Sequence, residues 1–107
     1  EIDKQIWIED NVEIEGTADL NPPLYIGSGT TISAGVSLEN SILGKNNIVE
    51  PYASLKNTTL WNNNYVGRKC ELRGAIITDN VQFKEEAKVF EKSAIGRDTQ
   101  IGKLNLK

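Results

Sequence analysis

The chain has 107 residues, 25% charged and 38% hydrophobic, with a formal net charge of −3; that suits one domain and provides no basic excess for holding nucleic acid. No apolar run approaches the ~20 residues that span a bilayer, and no signal peptide is visible. A lone cysteine, Cys70, rules out an internal disulfide and fits a reducing, cytoplasmic compartment. The chain has no histidine, which limits acid–base and metal chemistry, and no methionine, so residues 1–107 are expected to be one domain excised from a longer protein.

In chain order, an aliphatic recurs every six residues from Ile8, at Ile14, Leu20, Ile26, Ile32 and Leu38. A five-residue step then reaches Leu43, followed by Val49 and Leu55. A second short step reaches Leu60, Val66 and Leu72, and a third reaches Ile77, Phe83 and Val89. Ile95 and Ile101 complete the series. The true unit is three hexads, 17 or 18 residues long, beginning at Ile8, Ile26, Leu43, Leu60, Ile77 and Ile95. A period of six suits neither a 3.6-residue helix nor an extended two-residue alternation. It predicts a short strand and a corner, three times per turn. The expected fold is therefore all-β: a single-stranded parallel β-helix of triangular coils, about five and a half of them. With coils about 4.8 Å apart the rod would be roughly 25 Å long.

A second inward position falls two residues before each aliphatic. It holds Val12, Ala18, Leu24, Thr30, Val36, Ala53, Cys70, Val81, Ala87 and Thr99, which are small or apolar. Asn47 and Asn64 break this rule 17 residues apart. Buried amides need partners, so they are expected to stack as a ladder bonded amide to amide along the axis. Gly27, Gly44, Gly67, Gly96 and Gly102 each follow an aliphatic, and Asn21-Pro22-Pro23 marks another corner. Cys70, at an inward position, is read as inert packing. Glu9, Asp10, Glu13 and Glu15 fall on different faces and read as solvated exterior; Arg68, Lys69 and Arg73 read likewise. Glu39 and Lys56 occupy equivalent positions in successive coils and should pair weakly. The threonines form no outward column, which removes a flat threonine-array surface.

Outside, the residues just before each coil's first aliphatic are Trp7, Tyr25, Ile42, Thr59, Ile76 and Ala94, with Trp61 following its aliphatic on the same side. The short corners leave the directions of Ile42 and Ile76 open. Trp7, Tyr25, Ile42, Trp61 and Ile76 are the candidate interface, because a contiguous apolar stripe exceeds what a monomer normally exposes. Lys107 falls where the next inward aliphatic belongs, so another segment or chain is expected to cover that end.

Leu24-Tyr25-Ile26-Gly27, the segment Leu55 to Trp61 (LKNTTLW) and the segment Val66 to Ile77 (VGRKCELRGAII) resemble the C-terminal hexapeptide-repeat domain of sugar-1-phosphate nucleotidyltransferases. The likeness is to the mannose-1-phosphate guanylyltransferase and glucose-1-phosphate nucleotidyltransferase type, and it covers nearly the whole chain. It implies a left-handed β-helix, against the usual right-handed preference of parallel crossovers. It also implies a parent enzyme making nucleotide sugars from NTP and sugar-1-phosphate with Mg. Catalysis there lies in an N-terminal Rossmann-like domain with a glycine-rich loop, and this chain carries only dispersed glycines. No catalytic, cofactor or metal residue can therefore be assigned here. The implied role is assembly and regulation, through self-association, packing on the missing catalytic domain, or both. The alternative is a hexapeptide acyltransferase-like domain, but those enzymes use a histidine base, which this chain lacks. The three-histidine carbonic anhydrase type is excluded for the same reason.

Overall fold

In the computed structural model of the chain, the residues described are 5–90, 94–96, 100–101 and 105–106. They form short parallel strands in stacked coils, with no helix among them. The second face is a six-stranded sheet built from Glu13–Ile14, Thr31–Ile32, Ile48–Val49, Tyr65–Val66, Gln82–Phe83 and Gln100–Ile101. Asp19–Ile26 and Ser37–Leu43 run through a corner and so join the third and first faces into one ten-stranded sheet. The registers keep every aliphatic on its equivalent: Ile26 faces Leu43, Leu43 faces Leu60, and Leu60 faces Ile77. The sequence period and the coil register therefore agree at 17 residues through the centre.

Most bends hold one residue in the left-handed region; those at Gly16-Thr17 and Asn21-Pro22-Pro23 hold none. Asn11, Gly29, Asn46, Asn63 and Asn80 serve one corner, Gly35, Tyr52, Lys69 and Glu86 the next, and Asn40, Asn57 and Gly74 the third. Asparagine and glycine tolerate this conformation best. The exposed N–H is not wasted: Asn63 donates to Lys45 O at 2.9 Å and Asn57 to Glu39 O at 3.0 Å, each on the preceding coil. Gly27, Gly44 and Gly67 do not hold the positive φ. A Cβ on Gly27 would lie 2.5 Å from Gly44 O, so these glycines admit the backbone of the next coil. Gly102 lies outside the described residues.

The interior is a column of apolar side chains: Ile26, Leu38, Leu43, Val49, Val66, Ile77, Phe83 and Val89 are all fully buried. Each full-size side chain contributes about 1.5–3 kcal/mol on burial. The first coil is only half covered, at Ile8, Val12, Ile14, Ala18 and Leu20. Where a corner is one residue shorter, the position two before the aliphatic turns inward. Ser41, Thr58 and Ala75 are thus buried, and Ile42 and Ile76 point out. Thr99 and Lys107 lie outside the described residues.

Asn47 and Asn64 are buried and stacked, but their bonding differs from an amide-to-amide ladder. Thr30 Oγ1 accepts from Asn47 N at 3.2 Å, Asn47 Oδ1 from Asn64 N at 2.9 Å, and Asn64 Oδ1 from Val81 N at 2.8 Å. The coil backbone turns its N–H groups inward here, and a backbone donor is fixed where an amide rotor is not. Asn47 Nδ2 donates to Trp61 O at 2.7 Å, and Asn64 Nδ2 is the buried side-chain atom without a partner among the described residues.

Candidate functional site

The first face carries the outward column. Trp7 lies against Tyr25, Tyr25 against Ile42, Ile42 against Thr59, and Thr59 against Ile76, all in strict parallel register. Trp7 is 48% exposed, Ile42 54% and Ile76 53%. The column itself bears no charge. By contrast the third face carries the ion pairs Lys56–Glu39 and Lys88–Glu71, each at 3.7 Å, and Arg73 lies 4.4 Å over the Phe90 ring. The two faces are thus chemically opposite, apolar against charged.

A cleft of about 380 Å³ runs along the upper part of the column. Trp7, Tyr25 and Ile42 form its floor, and Pro23, Asn40 and Asn57 its wall. Asn40 Nδ2 donates to Asn57 Oδ1 at 2.6 Å, which fixes that wall. The wall stands there because the coil begun at Ile8 has an extra residue at this corner: the register shifts between Asn21 and Leu24. The Tyr25 hydroxyl donates to the Glu9 carboxylate, which also accepts from Ser28 N at 3.0 Å. This hydroxyl first, then that amide, holds the Glu9 carboxyl below its ordinary value, while the bond raises the Tyr25 phenol above its own.

Trp61 does not join the column. It sits in the bend after Thr59–Leu60, 51% exposed, with its N–H on Ile77 O at 2.9 Å. Glu9 holds the same register position three coils earlier and still reaches over to Tyr25, so Trp61 flanks the same face. Sequence reasoning missed the exposed second-face pair Ile48 and Tyr65, whose hydroxyl donates to Glu50 at 2.8 Å, and the exposed Tyr52. Outward alternation along Ile48–Val49 and Tyr65–Val66 was the available signal.

The other candidates disperse. Cys70 is fully buried, its Sγ donates to Lys84 O at 2.9 Å, and burial raises its thiol pKa. Such a thiol is a poor nucleophile. Glu15 bonds Thr17, far round the coil from Glu9. Arg68 and Lys69 project from a corner, whereas Arg73 is committed to Phe90. Among the described residues no three Asp, Glu, Cys or His side chains form a metal-binding group, and no helix is long and apolar enough to cross a membrane.

Phase-locked coils of hexapeptide repeats define a parallel β-helix. Residues 3–105 match the family described as the EIF2B subunit epsilon LbH domain, and the chain belongs to that family. Among solved structures it is similar to the acetyltransferase domain of PglB from Neisseria gonorrhoeae FA1090 (TM-score 0.54, 11% identity, 91% of this chain and 54% of that one). It is similar also to a GDP-perosamine N-acetyl transferase variant from Caulobacter crescentus (TM-score 0.47, 16% identity, 94% and 51%). A hexapeptide transferase family protein from Anaplasma phagocytophilum gives a TM-score of 0.47 at 16% identity, over 91% of this chain and 69% of that one. The chain thus spans about half the length of the first two. At such identities the likeness is one of fold. No curated protein sequence matches the chain.

Proposed function

We propose that this β-helix is the assembly and regulatory module of a larger, cytoplasmic nucleotidyltransferase-type protein, and that its first face is the docking surface. One observation carries the reading: an uncharged, outward column of Trp7, Tyr25, Ile42 and Ile76 on a rod whose third face is charged and ion-paired. Exposed apolar area of this kind marks interaction sites, and aromatic residues are enriched at them. The resemblance of the Leu55 to Trp61 and Val66 to Ile77 segments supports the nucleotidyltransferase parent, with NTP, sugar-1-phosphate and Mg handled by a separate domain. Asn47, Asn64 and Cys70 fit structural roles, because each is buried and bonded to backbone. The absence of histidine argues against the acyltransferase-like alternative.

The test uses the longer protein that contains this chain. Nucleotidyl transfer from NTP and sugar-1-phosphate should persist, with altered assembly mass, when Ile42→Asp is introduced. Acetyl transfer from acetyl-CoA by the 107-residue chain alone would overturn the reading in favour of an acyltransferase.

A further inference from the structure

We infer that the cleft on the first face binds a neutral, proline-rich segment of a partner polypeptide, held in the polyproline II conformation along the rod axis. This rests on reading that face as a docking surface and adds the occupant. The cleft is bounded by two columns that both run from coil to coil. Its floor is Trp7, Tyr25, Ile42 and Thr59, one residue per coil in register. Its wall is Pro23, Asn40 and Asn57, again one per coil. A segment lying in the cleft therefore runs along the stacking direction, and its own period must match the coil spacing. Coils repeat every ~4.8 Å, so alternate rungs such as Trp7 and Ile42 lie about 9.6 Å apart. A polyproline II helix repeats every three residues, about 9.3 Å, and so stays in step. An α-helix turn of about 5.4 Å misses each rung by about 0.6 Å, nearly 2 Å over the length of the floor. A strand's two-residue repeat of roughly 6.7 Å falls between one rung and two.

The chemistry agrees with the period. Prolines three residues apart seat on successive pairs of rungs, the first on Trp7 and Tyr25, the second on Ile42 and Thr59. Aromatic-lined grooves bind such segments because the free segment is already extended and loses little entropy on docking. The floor is fixed beforehand as well, since the Tyr25 hydroxyl is tied to the Glu9 carboxylate. A polyproline II backbone makes no internal hydrogen bonds, so its carbonyls need donors. The wall supplies one. Asn40 Nδ2 donates to Asn57 Oδ1, but on the next coil Gly74 stands at the position equivalent to Asn57. With no side chain there the amide ladder stops, and Asn57 Nδ2 is left for a carbonyl of the segment. A docked helix would not use that donor, because its carbonyls are already bonded. None of the residues lining the cleft is charged, which favours a neutral segment. A second copy does not supply it: the prolines of the 107 residues are Pro22, Pro23 and Pro51, none three residues from another, and Pro23 is itself part of the wall.

Amide NMR of the 107-residue chain titrated with a blocked decaproline peptide should show saturable shifts at Trp7, Tyr25, Ile42 and the Asn57 side-chain amide. Ile48 and Tyr65, exposed on the second face, should not move. Trp7→Ala and Ile42→Asp should each weaken binding by at least ~10-fold, and Ile48→Asp should leave it intact. Asn57→Asp keeps the acceptor for Asn40 Nδ2 and suits the left-handed bend, but removes the donor, and should weaken binding by at least ~5-fold. Circular dichroism of each variant checks that the coils persist, since none of these side chains lies in the core. The period is read with two blocked alanine-based peptides whose prolines stand three or four residues apart. The first should bind at least ~5-fold tighter, and equal binding would overturn the axial match. Absence of shifts at millimolar decaproline, or shifts confined to the second face, overturns the inference. If in that case Ile42→Asp still alters the assembly of the longer protein, the docking role stands and only the occupant differs.

Discussion

Asn47 shows how a polar residue becomes part of an apolar interior. Its amide oxygen satisfies Asn64 N and its amide nitrogen satisfies Trp61 O. Asn47→Ala removes both bonds and leaves a buried backbone N–H without a partner, so it should cost about 2–3 kcal/mol. Asn64 satisfies Val81 N only, so Asn64→Ala should cost about 1 kcal/mol less. Asn64→Thr should recover part of that, because Thr30 already fills an equivalent rung. Urea midpoints of the three variants decide the order. Glu9 and Tyr25 give the pH dependence. The folded Glu9 pKa lies below its ordinary 4.5, so its contribution is complete above that value and fades as pH falls through the folded pKa. The folded Tyr25 pKa lies above 10.0, so its contribution is complete below that and fades as pH rises through the folded pKa. Glu9→Gln should flatten the acid limb of stability below about pH 4.5 in a pH-resolved urea titration, and should flatten the alkaline limb as well.

Corners are the elements that set the coil, and their chemistry is uneven. Asn63 and Asn80 suit the left-handed bend; Lys69 and Glu86 hold it at a cost. A non-glycine residue pays roughly 1–2 kcal/mol there. Lys69→Gly should therefore stabilise the chain by about 0.5–1 kcal/mol, and Asn63→Val should destabilise it by about 1 kcal/mol, in thermal melts. These elements also show what could be read from the sequence. The aliphatic period gave the faces, the stacking order and the Glu39–Lys56 pair directly, because one inward residue per hexad leaves no other register. The direction of Ile42 and Ile76 was not legible. A five-residue step admits two solutions, and only the left-handed Asn40 and Gly74 decide which residue the bend consumes. The members of the apolar face were legible as a column, but the wall of its cleft only in part. The extra residue at the Asn21-Pro22-Pro23 corner shows in the six-residue step from Leu20 to Ile26, but the Asn40–Asn57 bond that completes the wall has no local sequence signal.

At the scale of the molecule, stability is a sum over neighbouring coils. Phe83 is the largest fully buried side chain among the described residues, and Phe83→Ala should cost about 3–5 kcal/mol by denaturant titration. Hydrogen exchange should be slowest in the central coils and fastest in the first, whose aliphatics are half covered. The 17-residue coil offers a sharper check. Excising residues 44–60 joins Leu43 to Trp61, which keeps every column in phase, because Leu43 and Leu60 are register equivalents. The shortened chain should keep its β-sheet circular dichroism and lose about 4.8 Å of length. Excising one residue fewer turns every later inward side chain toward solvent and should leave that part unfolded. In genetic terms the coil is a unit of copy number. Unequal recombination between adjacent coil-coding stretches lengthens or shortens the rod without disturbing its packing, and each such event adds or removes one rung of the apolar face.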